Sequence, residues 1–198
     1  MNHEKAKRLC IFDIGNVVLG DIDMLEAVSE RYQLPYDQLK EDYTHYLYPM
    51  MDGVLDVELY IRHLSFLFNV SLPNDLFEVT FNPFVVRGVA ELISTVRDTG
   101  VRVVAGSNTF APHEKVIRKM GVFSLFDRVY LSHHMGISKP FPGFFSSVME
   151  QEGYQPGQVV FVDDLKENIE AASALGMKGV LFHQAHDTVE ELSRHILA

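Results

Sequence analysis

Leu9-Cys10-Ile11-Phe12-Asp13 and Val159-Val160-Phe161-Val162-Asp163-Asp164 share one design: a short apolar run, rich in β-branched and aromatic residues, closed by acid. Runs of this length are too short for helices and read as buried strands. Three more short apolar runs, without the closing acid, lie at Val101–Ala105, Arg128–Leu131 and Gly179–Phe182. Between the later runs lie amphipathic stretches with helical spacing, at Gly88–Thr99, Pro112–Met120, Pro142–Glu152 and Glu167–Leu175. Strands alternating with helices imply an α/β fold, a parallel sheet with helices on both faces.

The interval from 14 to 100 breaks the alternation, since it contains no convincing strand. Asp23–Gln33 is helical in pattern, Leu39–Leu47 follows, Asp56 is placed to cap a helix running to about Phe68, and Pro73 opens a short fourth. A parallel crossover needs only a dozen or so residues. The excess is therefore expected to be an inserted helical domain over residues 20–83. Gly20 and Asn82-Pro83 flank it as expected hinges, with the core made of residues 1–19 and 84–198.

Composition excludes several classes. The 198 residues carry 17 Lys plus Arg against 27 Asp plus Glu, a net charge of −10, which opposes binding to nucleic acid or anionic lipid. The single cysteine, Cys10, excludes an internal disulfide framework and is expected to be an inert buried thiol. Lys5, Lys7 and Arg8 precede a mostly apolar stretch, but Asp13 interrupts it and no small-residue cleavage site follows. With no apolar run long enough to span a bilayer, the chain is expected to be soluble and cytoplasmic. Its oligomeric state is not legible.

In a parallel sheet, ligands bind outside the carboxyl ends of the strands. The polar residues expected there form one set: Asp13, Ser107-Asn108-Thr109, Lys139 and Asp163-Asp164. Facing carboxylates suit a hard cation such as Mg²⁺. A lysine and a serine hydroxyl beside that cation make a phosphate pocket, in which Asp13 is positioned to attack phosphorus.

The sequence resembles the haloacid dehalogenase superfamily of hydrolases. Phe12-Asp13-Ile14-Gly15-Asn16-Val17-Val18 is similar to its first motif, Val104-Ala105-Gly106-Ser107-Asn108 to its second, and Lys139-Pro140 to its third. Phe161-Val162-Asp163-Asp164, with Asn168 four residues on, is similar to its fourth. The resemblance implies a Rossmann-like three-layer core with a helical cap that closes over the site. It implies Asp13 as nucleophile and metal ligand, the Gly15 carbonyl and Asp164 as further Mg²⁺ ligands, and Ser107 and Asn108 as holders of the phosphoryl group. Lys139 would neutralise that group and orient Asp13, Asp163 would act through a metal-bound water, and Asn168 would orient the loop.

The sequence departs from the pattern at Gly15, where phosphatases of the superfamily usually carry an aspartate as general acid and base. General acid–base help contributes about 10²–10⁴ in rate. The expectation is a Mg²⁺-dependent phosphatase of a small phosphorylated metabolite, of the sugar-phosphate class, working through an aspartyl-phosphate. The alternatives are a 2-haloacid dehalogenase, whose leaving halide needs no proton, and a non-catalytic phosphometabolite-binding relic.

Two other features stand out. His133-His134 adjoin the expected site, but adjacent side chains point in different directions, so a shared metal is not expected and they read as partly exposed loop residues. The segment from Tyr43 to Met51 is dense in aromatic and methionine residues and reads mainly as cap packing. His45, Tyr46 and Met50 are its candidates for facing a substrate, and His45 and His134 are the candidates to replace the missing acid.

Overall fold

A computed structural model describes residues 8–197. Residues 1–7 and 198 of the expected core, Lys5 and Lys7 among them, lie outside the described residues. Strand β1 (Leu9–Phe12) is buried along its whole length, because both its neighbours are strands and both its faces carry helices. The sheet has the order β5-β4-β1-β6-β7, all parallel, with β4 at Arg102–Ser107, β5 at Arg128–Leu131, β6 at Val159–Asp163 and β7 at Lys178–Leu181. This is the expected α/β three-layer fold.

Alternation along the strands separates the two faces. Cys10, Phe12, Val103, Ala105, Val160 and Val162 pack in one apolar cluster with α5 (Val89–Asp98) and α6 (Ala111–Lys119). Leu9, Ile11, Val104, Val159 and Phe161 pack in another with α8 (Pro142–Glu152) and α9 (Lys166–Ala174). Cys10 is fully buried, and burial pushes its thiol far above the usual range, as expected of an inert thiol. A further helix, α10 (Ala185–Leu197), was not expected and packs against α5 and β7.

Four helices fill the long interval: α1 (Leu25–Tyr32), α2 (Tyr36–Met51), α3 (Val57–Leu67) and α4 (Leu76–Thr80). Asp56 caps α3 as its position suggested, its Oδ1 accepting from the Glu58 N–H at 2.7 Å. These helices have their own apolar core around Tyr60, Leu64 and Phe77, to which Phe110 of the larger unit contributes. The interval is not strand-free. β2 (Leu19–Gly20) and β3 (Phe84–Val85) form a short antiparallel ribbon where the insertion leaves and rejoins the core. Two-residue strands are too short to leave a periodic signal. A side chain on Gly20 would meet the tip of the exposed Phe84 ring at 2.7 Å, so the ring would have to move to admit one. Among the described residues no helix is long and apolar enough to cross a membrane.

Candidate active site

The strand order reverses at β1, which has β4 and β5 on one side and β6 and β7 on the other. Such a switch point leaves a crevice at the carboxyl ends of the strands, and the expected site residues converge there. The Asp13 N–H continues the ladder by donating to the Val162 carbonyl at 2.8 Å, so Asp13 is aimed by the sheet itself. Lys139, 1% exposed, arrives from the loop before α8 and places Nζ 2.7 Å from Asp13 Oδ1 and 2.7 Å from Asp163 Oδ2.

Asp163 is fully buried and fully engaged. Its oxygens also accept from Asn168 Nδ2 at 3.0 and 3.1 Å and from the Leu165 N–H at 2.8 Å. It anchors the Lys139 ammonium, and Asn168 holds Asp163 in place. Asp164 lies at the mouth, where Asn16 Nδ2 donates to its Oδ2 at 3.1 Å. Asn16 sits at φ 52°, a left-handed conformation that asparagine tolerates better than most residues. Asn16 belongs to the first motif, although the resemblance assigns it no role of its own.

Ser107 ends β4 beside these groups and is buried. Asn108 is used differently from the expectation. Its Nδ2 donates to the Lys139 carbonyl and its Oδ1 accepts from the Lys139 N–H, both at 2.8 Å. The side chain thereby fixes the lysine backbone through Oδ1 and one of its two Nδ2 hydrogens.

Asp13, Asp163 and Asp164 each offer an oxygen within 4.8 Å of one another. Lys139 pairs with two of these three carboxylates, Asp13 and Asp163. Burial, with a further push from Asp163, raises the Asp13 carboxyl to about 7 against the pull of Lys139. Burial also raises Asp164, opposed by its bond from Asn16. Burial would lower Lys139, but the two carboxylates outweigh it and hold the ammonium above its ordinary range. A donor set of close, crowded carboxylates fits an additional hard divalent cation.

Gly15 does not adopt a left-handed conformation. A side chain there would instead meet Ile22 Cδ1 at 2.9 Å, so a flexible apolar tip occupies the space beside an acid at this position. Neither histidine considered as a replacement acid lines the cavity. His45 lies on the opposite side of α2, and His134 lies against Glu114. The histidine that does line it is His113, stacked on Phe81 with ring centroids 3.8 Å apart. Burial lowers it to about 3, so it is neutral.

Above the polar floor a cavity of about 370 Å³ extends between the core and the inserted helices. Its wall is apolar, built from Leu19, Ile22, Phe81 and Phe110 of the core and its approach, and from Tyr43, Leu47 and Met51 of α2. His45, Tyr46 and Met50, the residues expected to face a substrate, do not line it. Met50 is buried, while His45 and Tyr46 meet edge to face and Tyr46 packs on Tyr60 and His63 of α3.

The expectation for the histidine pair is also corrected. His133 and His134 lie in a short helix, α7 (Ser132–Met135), and both present Nε2 to Glu114 Oε2 at 3.0 Å. His133 is largely buried rather than a loop residue.

A family model for haloacid dehalogenase-like hydrolases matches residues 7–176. Among curated proteins, the chain is 36% identical over 94 residues to a drimenol cyclase of Aspergillus calidoustus, covering 47% of this chain and 18% of the cyclase. It is 32% identical over 105 residues to a sesquiterpene phosphatase of Aspergillus oryzae, covering 52% and 54%. A flavin mononucleotide hydrolase of Arabidopsis thaliana is 26% identical over 106 residues, covering 54% and 43%. The chain thus spans from under a fifth to about half the length of these relatives. Among solved structures, a family enzyme of Bacteroides thetaiotaomicron in complex with magnesium and inorganic phosphate superposes with a TM-score of 0.76 at 20% identity, over 90% of this chain and 95% of that one. An L-2-haloacid dehalogenase superposes with a TM-score of 0.71 at 13% identity, over 94% and 99%. At these identities the superpositions speak to the fold alone.

Proposed function

This chain belongs to the haloacid dehalogenase-like hydrolases, and from that premise we propose that it is a Mg²⁺-dependent phosphatase of small phosphomonoesters. The observation that carries the reading is the Lys139 ammonium, buried and bonded to both Asp13 and Asp163 at 2.7 Å beside Asp164 and Ser107. A nucleophilic carboxylate needs to be ionised and aimed. Lys139 aims Asp13 and pulls it toward the ionised form against its burial, and Asp163, Asn168 and Asn108 hold Lys139.

Asp13, Asp164 and the Gly15 carbonyl would hold the cation, which when bound supplies charge neutralisation for the phosphoryl oxygens and the crowded carboxylates. Asp13 forms an O–P bond as the ester O–P bond breaks, giving an aspartyl-phosphate and an alkoxide that takes its proton from water. A second water then cleaves the aspartyl-phosphate, returning Asp13 and releasing orthophosphate. Lys139 and the Ser107 hydroxyl stabilise charge on the transferring group, so the rate acceleration comes chiefly from positioning and electrostatics. The helices α1–α4 act as a cap, jointed at the β2–β3 ribbon.

The sugar-phosphate class finds weak support in this cavity. A hydroxyl-rich body would lie against Leu19, Ile22, Leu47, Met51, Phe81 and Phe110, leaving its polar groups desolvated. A phosphate on an apolar alcohol suits the wall better, and the similarity to a sesquiterpene phosphatase points the same way.

A series of n-alkyl phosphates of increasing length, run beside glucose 6-phosphate with Mg²⁺ and with EDTA, tests both parts. Each buried methylene is worth about 0.8 kcal/mol, so kcat/KM should climb up to about fourfold per carbon until the cavity fills. EDTA and Asp13→Asn should each abolish turnover. A flat series, or glucose 6-phosphate preferred, would refute the apolar substrate alone. Undiminished turnover in EDTA, or release of halide from a 2-haloacid at comparable rates, would refute the phosphatase.

A further inference from the structure

His133 and His134 converge on one carboxylate oxygen, Glu114 Oε2, each with its Nε2 at 3.0 Å. His133 Nδ1 lies 3.1 Å from the Thr109 carbonyl. A carbonyl only accepts, so Nδ1 must carry the proton. In the neutral ring Nε2 is then a bare lone pair, yet it faces Glu114 Oε2 at 3.0 Å. Two acceptors at that distance repel unless a proton or a cation lies between them.

We propose that Glu114, His133 and His134 form a second metal site, selective for a borderline transition ion such as Zn²⁺ or Co²⁺ and distinct from the all-oxygen site at Asp13. Two imidazole nitrogens and one carboxylate oxygen are a ligand set that such ions take and Mg²⁺ does not. The three ligand atoms lie within 4.8 Å of one another. The surrounding contacts are those that orient metal ligands. A backbone carbonyl fixes the His133 tautomer, and Arg118 Nη2 binds the other Glu114 oxygen at 2.6 Å, leaving Oε2 directed at the histidines. His134, its side chain 60% exposed, closes the set from the solvent side.

The place of the site gives it a consequence. Thr109 directly follows Ser107 and Asn108, and its N–H and carbonyl are both bonded to Ser132 Oγ, at 3.0 and 3.1 Å. A side chain on Gly53, just beyond α2, would lie 2.5 Å from the His133 carbonyl, so the inserted helices rest directly on α7. An ion held by α6 and α7 would stiffen the loop carrying Ser107 and the surface on which the cap sits. It would do so without touching the reacting atoms.

The test uses the whole chain, stripped of metal and resupplied with excess Mg²⁺ to occupy the carboxylate site. Zn²⁺ is titrated by calorimetry, and Co²⁺ by visible absorption, which reports nitrogen ligation. One equivalent should bind and raise Tm. Affinity should fall about 10–100-fold in His133→Ala, His134→Ala and Glu114→Gln, and be unchanged in Asp13→Asn. His134→Ala is the decisive variant, because an exposed side chain can be removed without loss of fold. Absence of stoichiometric binding at micromolar metal, equal affinity in His134→Ala and the parent, or loss of binding in Asp13→Asn would each overturn the proposal.

Discussion

Replacing Lys139 by methionine separates what the ammonium does for the fold from what it does for chemistry. The side chain is 1% exposed and its Nζ sits 2.7 Å from two carboxylates, one of them fully buried. Methionine fills similar volume but leaves Asp13 and Asp163 facing each other without a counter-charge. Removing one member of a buried ion pair costs about 3–5 kcal/mol, mostly because the partner remains charged and desolvated. Against a total stability of about 5–15 kcal/mol, Lys139→Met should be folded but much weakened. If the cost is the stranded charge, removing that charge should recover part of it. Asp163→Asn in the Lys139→Met background should therefore restore about 0.5–3 kcal/mol, the range of coupling between residues in contact. The cost should also shrink toward pH 5, where Asp13 is protonated. The chain has no tryptophan but eight tyrosines, so urea unfolding is followed by circular dichroism or tyrosine emission. Turnover should be lost in both variants, since neither has a cation to orient Asp13. A single variant costing under about 1 kcal/mol, or an Asp163→Asn change that merely adds to the loss, would refute the account of Lys139 as the charge that holds the site together.

Two further outcomes follow from the same geometry. Asp13 is raised in the folded chain from an ordinary 3.8 to about 7, so the folded state holds its proton more tightly. Stability present at low pH is then lost as pH rises from about 4 to about 7. His113, lowered to about 3 by burial, contributes the opposite slope, so the readout is the difference between the parent and Asp13→Asn. In metal-free buffer the stability of Asp13→Asn relative to the parent should grow by about 2–3 kcal/mol between pH 5 and pH 8, because a proton bound in only one of the two states contributes about 1.4 kcal/mol for each step of one in pH. Mg²⁺ should flatten the trend, and a metal-free difference that is constant or shrinks would refute it. Gly15→Asp should fold, because only the Ile22 Cδ1 tip must move and the backbone is not left-handed. It should speed alkyl phosphates more than p-nitrophenyl phosphate, since only the poorer leaving group needs the new acid; equal effects on both would show that protonation does not limit turnover.

The sheet and its floor of polar residues were legible because both are written locally. A strand buried on both faces must be a continuous apolar run, and a carboxylate at its end has few structural reasons to be there. Orientation was not legible, because it depends on which of several equivalent faces the packing selects. Helix α2 carries an aromatic and methionine residue on nearly every side from Tyr43 to Met51. Its periodicity therefore could not choose between the row Tyr43, Leu47, Met51 and the row through His45, Tyr46 and Met50. The choice is made by α3: Tyr46 lies 5.4 Å from the Tyr60 ring and 5.1 Å from that of His63, which fixes the rotation of α2 and turns Leu47 and Met51 toward the cavity. Pro49 hid the end of the same helix, since it reads as a stop; the helix instead continues to Met51, and the Pro49 carbonyl accepts from the Val54 and Leu55 N–H groups beyond it. The histidine pair misled for a related reason. Divergence of neighbouring side chains holds along a strand, but in the single turn of α7 two long rings can bend toward one acceptor, and Glu114 of α6 supplied it from outside the local sequence. The features hidden in the linear sequence are thus those that a second element decides, and here they include the wall of the cavity.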